Sequence, residues 1–235
     1  MKTFFPILFV ITFLASVVYA QKPDRPNKLY PILFNYARNL YKEYSSIPVE
    51  RRYILDEIAN YVIGSTQFEG NASLIIIGSN NATRSILVES WANAAAYYYG
   101  IHNVRIYSGG INATRISKNS ILALEEAGFI IYKTTENQYP AYEIKYSYNL
   151  PPLIVRSKKY DDKANPTKGY GAIFVCPNAD INVPALNGNN FRTSLYYYDP
   201  VAYDMSEDAL KQYLIRSKGI ATEMFYLFYM LKNAK

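Results

Sequence analysis

The sequence predicts an α/β fold of three layers, in which a doubly wound, four-stranded parallel sheet lies between helices and carries an added N-terminal helical pair. Three observations predict it. Short apolar runs alternate with longer segments of helical periodicity, a compact polar loop directly follows the first run, and two amphipathic stripes precede that run. Such alternation is typical of parallel sheets covered on both faces, which bind ligands outside the carboxyl ends of their strands.

The first twenty residues (1–20) predict a signal peptide. Lys2 supplies a positive start, residues 4–18 form an apolar run, and small residues before Gln21 are typical of a cleavage site. We therefore expect export, to the periplasm or as a secreted protein, with cleavage near Ala20. The apolar run is short for a membrane span and no second run of that kind follows, so we expect no span in the mature chain.

Residues 21–70 predict a helical segment packed on the core. Two apolar stripes recur there at helical spacing. The first consists of Leu29, Leu33, Ala37, Leu40 and Tyr44, and the second of Ile54, Leu55, Ile58 and Val62. The segment 45–50, SSIPVE, favours the start of the second helix, and Gly64 favours its end.

Residues 71–235 predict the α/β domain itself. Its four strands are expected at 74–77, 104–107, 172–176 and 192–196, and its helices at 84–99, at 118–127 and from near Ser206 onward. The stretch 139–159 predicts an inserted pair of extended segments near the carboxyl ends of the strands.

The amino-acid composition bears on which partners and cofactors this protein is expected to bind. The formal net charge is +6, and no long run of lysine and arginine stands out, so we expect no nucleic-acid partner. One cysteine and one histidine give no clustered metal ligands, and we expect no cofactor. The 25 tyrosines suit half-buried faces or a partner-binding surface, but they do not identify a protein partner.

The stretch 74–85, LIIIGSNNATRS, carries the clearest functional signal. A buried strand, a tight polar loop and a helix that opens at Arg84 aim backbone N–H groups and the positive helix end at one point, a geometry that binds oxyanions. We expect phosphate, or a phosphorylated or sulfated ligand, to be bound there. The predicted binding residues are Gly78, Ser79, Asn80, Asn81, Ala82, Thr83, Arg84 and Ser85.

This loop resembles that of the low-molecular-weight protein tyrosine phosphatases and the thioredoxin-coupled arsenate reductases. Their loop reads Cys, five residues, Arg, Ser, with an Asn three positions after the Cys. Asn81, Arg84 and Ser85 match, whereas Gly78 stands at the position of the nucleophile. Further matches in the same order are the Ser-Gly-Gly at 108–110, the Glu-x-Gly-Phe at 126–129 and the Asp-Pro at 199–200, so the resemblance covers most of the mature chain.

The resemblance implies roles for single residues. Arg84 would bind the oxyanion through two parallel hydrogen bonds. Asp199 would stand at the position of the general acid. An equal alternative for Asp199 is that it initiates a turn before Pro200. Glu89 and Ser108, with Asn81, fall near a monovalent-cation site of some arsenate reductases. No other metal site is implied.

Two departures from the family pattern remove its thiol chemistry. Gly78 has no side chain with which to attack phosphorus. The segment 176–184 keeps Cys176, but Val183 stands where the arsenate reductases have a second cysteine. One thiol can neither form nor relay an internal disulfide, so arsenate reduction by the family route is excluded.

Three functions therefore remain open. The first is an exported pseudophosphatase that binds an oxyanion without turning it over. The second is a weak phosphatase that uses water, with Asp199 as acid or base. The third is a structural or partner-binding protein whose pocket is vestigial. Whether the chain is an enzyme is left open, because the resemblance implies a tyrosine phosphatase or an arsenate reductase, whereas Gly78 replaces the nucleophilic cysteine.

Overall fold

Two helices precede the sheet, as the apolar stripes predict. The computed structural model describes residues 29–234, so the predicted signal peptide lies outside the described residues. Helix α1 (Pro31–Leu40) and helix α2 (Val49–Glu69) are joined by a turn of 3₁₀ helix at Tyr41–Ser46. The predicted end at Gly64 is wrong: α2 continues past it and ends at Gly70, whose φ of 76° is readily accessible only to glycine.

Seven strands and four further helices follow within residues 29–234. The strands are β1 (Ala72–Gly78), β2 (Val104–Gly110), β3 (Ile130–Lys133), β4 (Tyr142–Lys145), β5 (Leu153–Val155), β6 (Tyr170–Phe174) and β7 (Asn189–Ser194). The helices are α3 (Arg84–Tyr98), α4 (Lys118–Glu126), α5 (Pro177–Asn182) and α6 (Ala209–Asn233), with a second 3₁₀ turn at Pro200–Tyr203.

The main sheet has the order β2-β1-β6-β7, and its pairings are all parallel, which confirms the predicted fold class. The strands β6 and β7 begin two or three residues earlier than the predicted 172–176 and 192–196. Strand β1 pairs with β2 from Ala72 opposite Val104 to Gly78 opposite Gly110. The carboxyl ends of these two strands therefore meet at one edge of the sheet.

Both faces of the sheet are covered. Leu74 and Ile76 on β1 belong to the large core formed with α1, α2, α3, α4 and α6, whereas Ile75 and Ile77 belong to a smaller core that includes α5. This alternation follows from the two-residue period of a strand. Trp91 of α3 lies in the large core, where its Nε1 donates to Ser217 Oγ at 2.9 Å.

Three details differ from the sequence predictions. The predicted pair of extended segments at 139–159 is present as β4 and β5, but β3, which was not predicted, joins them in an antiparallel sheet of order β3-β4-β5. The four residues of β3 are mostly exposed and show no alternation of apolar and polar side chains. Helix α5 was also not predicted, because six residues are too few to show a period. Helix α6 begins at Ala209 rather than near Ser206.

Residues 29–234 contain no helix of the length and apolar character needed to cross a membrane.

Candidate functional site

A small cavity lies at the carboxyl end of β1. It is lined by the loop and helix start at 78–85, together with Asp199 and Val201, and its volume is about 70 Å³. Pockets for drug-sized ligands are several times larger, at roughly 300–1,000 Å³. The cavity is therefore suited to a small anion or to the end group of a longer ligand.

The loop turns its carbonyl oxygens away from this cavity. Those of Gly78, Ser79 and Ala82 accept hydrogen bonds from the backbone N–H groups of residues 111, 112 and 117, at 2.9–3.1 Å. Within residues 29–234, no group accepts a hydrogen bond from the backbone N–H groups of residues 79–85. Unpaired donors at the start of a helix, where the helix dipole is positive, form an electrostatic site for an anion.

Arg84 is the first residue of α3 and adds a full positive charge. Its Nη2 lies 2.6 Å from Asp199 Oδ2, and its Nη1 donates to the carbonyl oxygen of Tyr197 at 3.1 Å. The Arg84 side chain is only 13% exposed, against 34% for Asp199. The fold thus brings both predicted residues to one cavity, where the Asp199 carboxylate competes with any external anion for the guanidinium.

Asp199 has two contacts of different kinds. Its Oδ2 pairs with Arg84, whereas its Oδ1 accepts a hydrogen bond from the Val201 N–H at 3.3 Å and so caps the 3₁₀ turn at Pro200–Tyr203. Of the two alternatives that the sequence left open, the turn-initiating Asp is present in the structure, and the role of general acid stays a prediction.

Asn81 holds the loop in shape. Its φ is 45°, in the left-handed region that Asn tolerates better than most residues. Its Nδ2 donates to Ser85 Oγ at 3.0 Å and to Ser108 Oγ at 2.8 Å, and its Oδ1 accepts from the Lys158 N–H at 2.9 Å. The amide therefore ties the loop to α3, to β2 and to the segment after β5.

Glu89 extends this network below the loop. Ser108 Oγ donates to Glu89 Oε2 at 2.6 Å. Burial raises the pKa of Glu89, although the charge of Lys158 and the hydrogen bonds from Ser108 act in the opposite direction. The three residues predicted near a cation site thus lie together, but Asn81 Oδ1 already accepts from Lys158. Residues 29–234 hold no group of three or more His, Cys, Asp or Glu side chains suited to a metal ion.

Gly78 leaves room for a side chain. A Cβ added there would lie 3.2 Å from Ser85 Oγ and 3.5 Å from Val175 Cγ2. The first distance is a few tenths of an ångström short of an ordinary contact, which a small movement of the Ser85 hydroxyl would relieve. The missing nucleophile is therefore a property of the sequence and is not imposed by the fold.

Ser79 and Cys176 are neighbours beside the loop. Their Oγ and Sγ atoms lie 3.2 Å apart, and Asn178 Nδ2 donates to Ser79 Oγ at 2.9 Å. Within residues 29–234 these are the side-chain partners of Ser79, and neither is a general base. Val183, at the position of the absent second cysteine, is buried in the smaller core.

A second network, which no sequence pattern predicts, supports the site. Arg51 on α2 pairs with Glu223 on α6, and Tyr197 donates its hydroxyl to Glu223 Oε2 at 2.6 Å. Arg51 Nη1 also donates to the carbonyl oxygen of Tyr196 at 3.0 Å. Because Arg51 and Glu223 are 172 positions apart in the chain, no local pattern could have paired them.

Comparison with known proteins finds similarity among solved structures. No family model matches the sequence, and no curated protein matches it either. A low-molecular-weight protein tyrosine phosphatase from T. tengcongensis is similar at 16% identity and a TM-score of 0.46, over 66% of this chain and 95% of that chain. The YwlE arginine phosphatase from Geobacillus stearothermophilus is similar at 13% identity and a TM-score of 0.47, over 69% of this chain and 94% of that chain.

An arsenate reductase from Archaeoglobus fulgidus is similar at 16% identity and a TM-score of 0.42, over 66% of this chain and 98% of that chain. The resemblance is one of fold alone. At such low identity, what the cavity binds has to follow from this chain's own residues.

Proposed function

We propose that this protein is an exported pseudophosphatase, which binds phosphate or a related oxyanion at residues 78–85 without cysteine-based catalysis. One observation carries the proposal: the unpaired N–H donors of the loop, the start of α3 and Arg84 line one small cavity that contains no nucleophile at Gly78. Export is proposed from the signal-peptide pattern at 1–20.

Electrostatics supports binding without turnover. In a phosphatase loop the thiolate is a negative charge among the N–H donors, so its absence from position 78 removes a repulsion against the bound anion. Asp199 is the one carboxylate among the residues that line the described cavity, and it is partly exposed. An incoming anion therefore competes with this one carboxylate for Arg84.

The proposal is tested by titrating the mature chain, residues 21–235, with phosphate and with sulfate. We expect saturable binding that Arg84→Ala weakens at least about tenfold, because charge-assisted hydrogen bonds to the anion are lost. The matched control is Arg105→Ala, which removes the same side chain from an exposed position on β2 and should leave the affinity unchanged.

Binding is followed by calorimetry and by the rise in melting temperature with ligand concentration. If the wild-type chain shows neither heat nor a rise, the cavity is vestigial and the proposal fails. The function would then be that of a structural or partner-binding protein. Equal loss of affinity in Arg84→Ala and Arg105→Ala would also contradict the proposal, because it would indicate binding to the general positive charge.

A second candidate is a weak phosphatase, favoured by the position of Asp199 in the same cavity as the N–H donors. In that case water attacks phosphorus, the ester P–O bond breaks, and Asp199 transfers the proton. Hydrolysis of a small aryl phosphate that is present in the wild-type chain and lost in Asp199→Asn would support this function. Hydrolysis that Asp199→Asn leaves unchanged would contradict it.

A further inference from the structure

Three arginine side chains converge on the segment 196–199, which leads into the cavity. Arg51 donates to the carbonyl oxygen of Tyr196, and Arg84 donates to that of Tyr197. The guanidinium carbon of Arg216, on α6, lies 6.0 Å from the centre of the Tyr198 ring. Three positive charges therefore surround a segment of four residues.

Only two of the three arginines have a carboxylate partner. Glu223 pairs with Arg51, and Asp199 pairs with Arg84. Within residues 29–234, the guanidinium of Arg216 has neither a carboxylate at ion-pair distance nor a hydrogen-bond partner, and its Nε is buried. The Nε of Arg216 therefore lacks a hydrogen-bond acceptor. A buried polar group without such a partner costs free energy.

Burial and the neighbouring charged groups both act on the pKa of Arg216. Its pKa is lowered, first by burial and also by the neighbouring charges of Arg51 and Arg84, although Tyr197 and Glu223 act in the opposite direction. An anion bound beside Arg216 would be attracted by more than one guanidinium.

We propose that Arg216 binds a second acidic group of the ligand, so that the ligand is an organic phosphate or sulfate that also carries a carboxylate. This inference rests on the proposed function, in which residues 78–85 hold the phosphate or sulfate. Tyr198 lies near both places, because its ring is near Arg216 and it directly precedes Asp199, which lines the cavity. The planar guanidinium matches a carboxylate through two parallel hydrogen bonds.

The test compares four ligands at fixed ionic strength: inorganic phosphate, phenyl phosphate, 3-carboxyphenyl phosphate and 4-carboxyphenyl phosphate. The two isomers place the carboxylate at different distances from the phosphate. We expect one of them to bind the wild-type chain about tenfold more tightly than phenyl phosphate. In Arg216→Gln this preference should disappear, while the affinity for inorganic phosphate changes by less than about twofold.

Two variants make the result specific. Lys211→Gln removes one positive charge from the same helix at an exposed position, where Lys211 Nζ lies 3.7 Å from Asp208 Oδ1. This variant should keep the preference for one carboxyphenyl phosphate. Arg216→Lys keeps the charge but loses the planar geometry, and it should keep only part of the preference. Melting temperatures of both Arg216 variants show whether they are folded.

The outcomes separate the two proposals. If inorganic phosphate binds but no isomer is preferred, or if a preference survives in Arg216→Gln, the inference about Arg216 is overturned and the proposed function stands. If Arg216→Gln weakens all four ligands equally, Arg216 contributes only to the general field and the inference again fails. If inorganic phosphate does not bind the wild-type chain, the proposed function fails and the inference fails with it.

Discussion

Gly78 ends β1 at the base of the cavity, where a side chain would face the start of α3. The contacts that a Cβ would make there, with Ser85 Oγ and Val175 Cγ2, allow a small residue. Unpaired N–H groups and a helix start lower the pKa of a thiol, because they stabilise the thiolate. The loop therefore has the surroundings that a nucleophile needs, although it has no nucleophile.

The substitution Gly78→Cys should create phosphatase activity. We expect its thiolate to attack phosphorus, the ester P–O bond to break and the leaving oxygen to take a proton from Asp199. Water then attacks the phosphocysteine, the P–S bond breaks, and phosphate and the thiolate are released. The initial rate of p-nitrophenyl phosphate hydrolysis should exceed that of the wild-type chain by at least about tenfold, since nucleophilic catalysis with oxyanion stabilisation supplies several kcal/mol.

The matched control is Gly78→Ser, which adds a side chain of similar shape without the acidic thiol, and it should remain inactive. A Gly78→Cys chain that binds phosphate and has a titratable thiol, but hydrolyses nothing, would show that the loop does not present a nucleophile in line with the ester.

Sequence reasoning reached some of these residues and not others, for a physical reason. The loop at 78–85 is contiguous, so its strand, its polar residues and Arg84 could be interpreted together. The contact between Arg84 and Asp199 could only be implied by resemblance, because it depends on the fold. Arg216 was missed because it lies in the apolar pattern of a long helix, and its missing partner is visible only in three dimensions.

Helix α3 and strand β2 are joined under the loop by Glu89 and Ser108. The pKa of Glu89 is raised above its ordinary value of 4.5, chiefly by burial. A carboxyl group of this kind binds its proton more tightly in the folded chain than in the unfolded chain. Its contribution to stability is therefore complete below a pH of about 4.5 and declines as the pH rises through the pKa of the folded state.

Glu89→Gln should show this linkage. The difference in melting temperature, variant minus wild type, should increase as the pH is raised from about 4.5 towards neutrality, because only the wild-type chain must ionise a buried group. Thermal unfolding at a series of pH values measures it. Glu126→Gln, at an exposed position on α4, is the control and should show a smaller slope. A slope for Glu89→Gln that is flat or of opposite sign would contradict the prediction.

The elements were predicted to different degrees. The strands β1 and β2 and the helix α3 are buried and strongly patterned, so hydrophobic periodicity located them. Strand β3 is stabilised by its pairing with β4, to which a loop of eight residues connects it, and not by burial. Its short, exposed sequence therefore has no signal of its own.

At the scale of the whole molecule, the N-terminal helices share the core of the sheet. Ile58 of α2 is fully buried in the same cluster as Leu74 and Ile76 of β1. The pair Arg51–Glu223 adds a polar connection from α2 to α6, beside the segment that leads to Asp199. The helical segment is therefore expected to unfold together with the sheet.

The substitution Ile58→Ala tests this expectation. It should lower the free energy of unfolding by about 2–5 kcal/mol, the usual cost of removing a buried branched side chain. Unfolding followed by the fluorescence of Trp91, the single tryptophan, and by far-ultraviolet circular dichroism should give one coincident transition, both in the wild type and in Ile58→Ala.

The control for that experiment is Ile32→Ala on α1, which makes the same change at a side chain that is 69% exposed and should alter stability little. An early transition seen by circular dichroism, but not by Trp91, would mean that the N-terminal helices unfold separately. The expectation of one cooperative unit would then be wrong.

The single cysteine has a consequence for where this chain can fold. Cys176 is the one thiol in the sequence, and it is 2% exposed at the start of α5. No internal disulfide can form, and a thiol so enclosed is poorly placed to meet that of another molecule. The absence of internal disulfides is therefore the same in glutathione-rich and in oxidising surroundings, and the chain needs neither a thiol oxidase nor a disulfide isomerase to reach its native state.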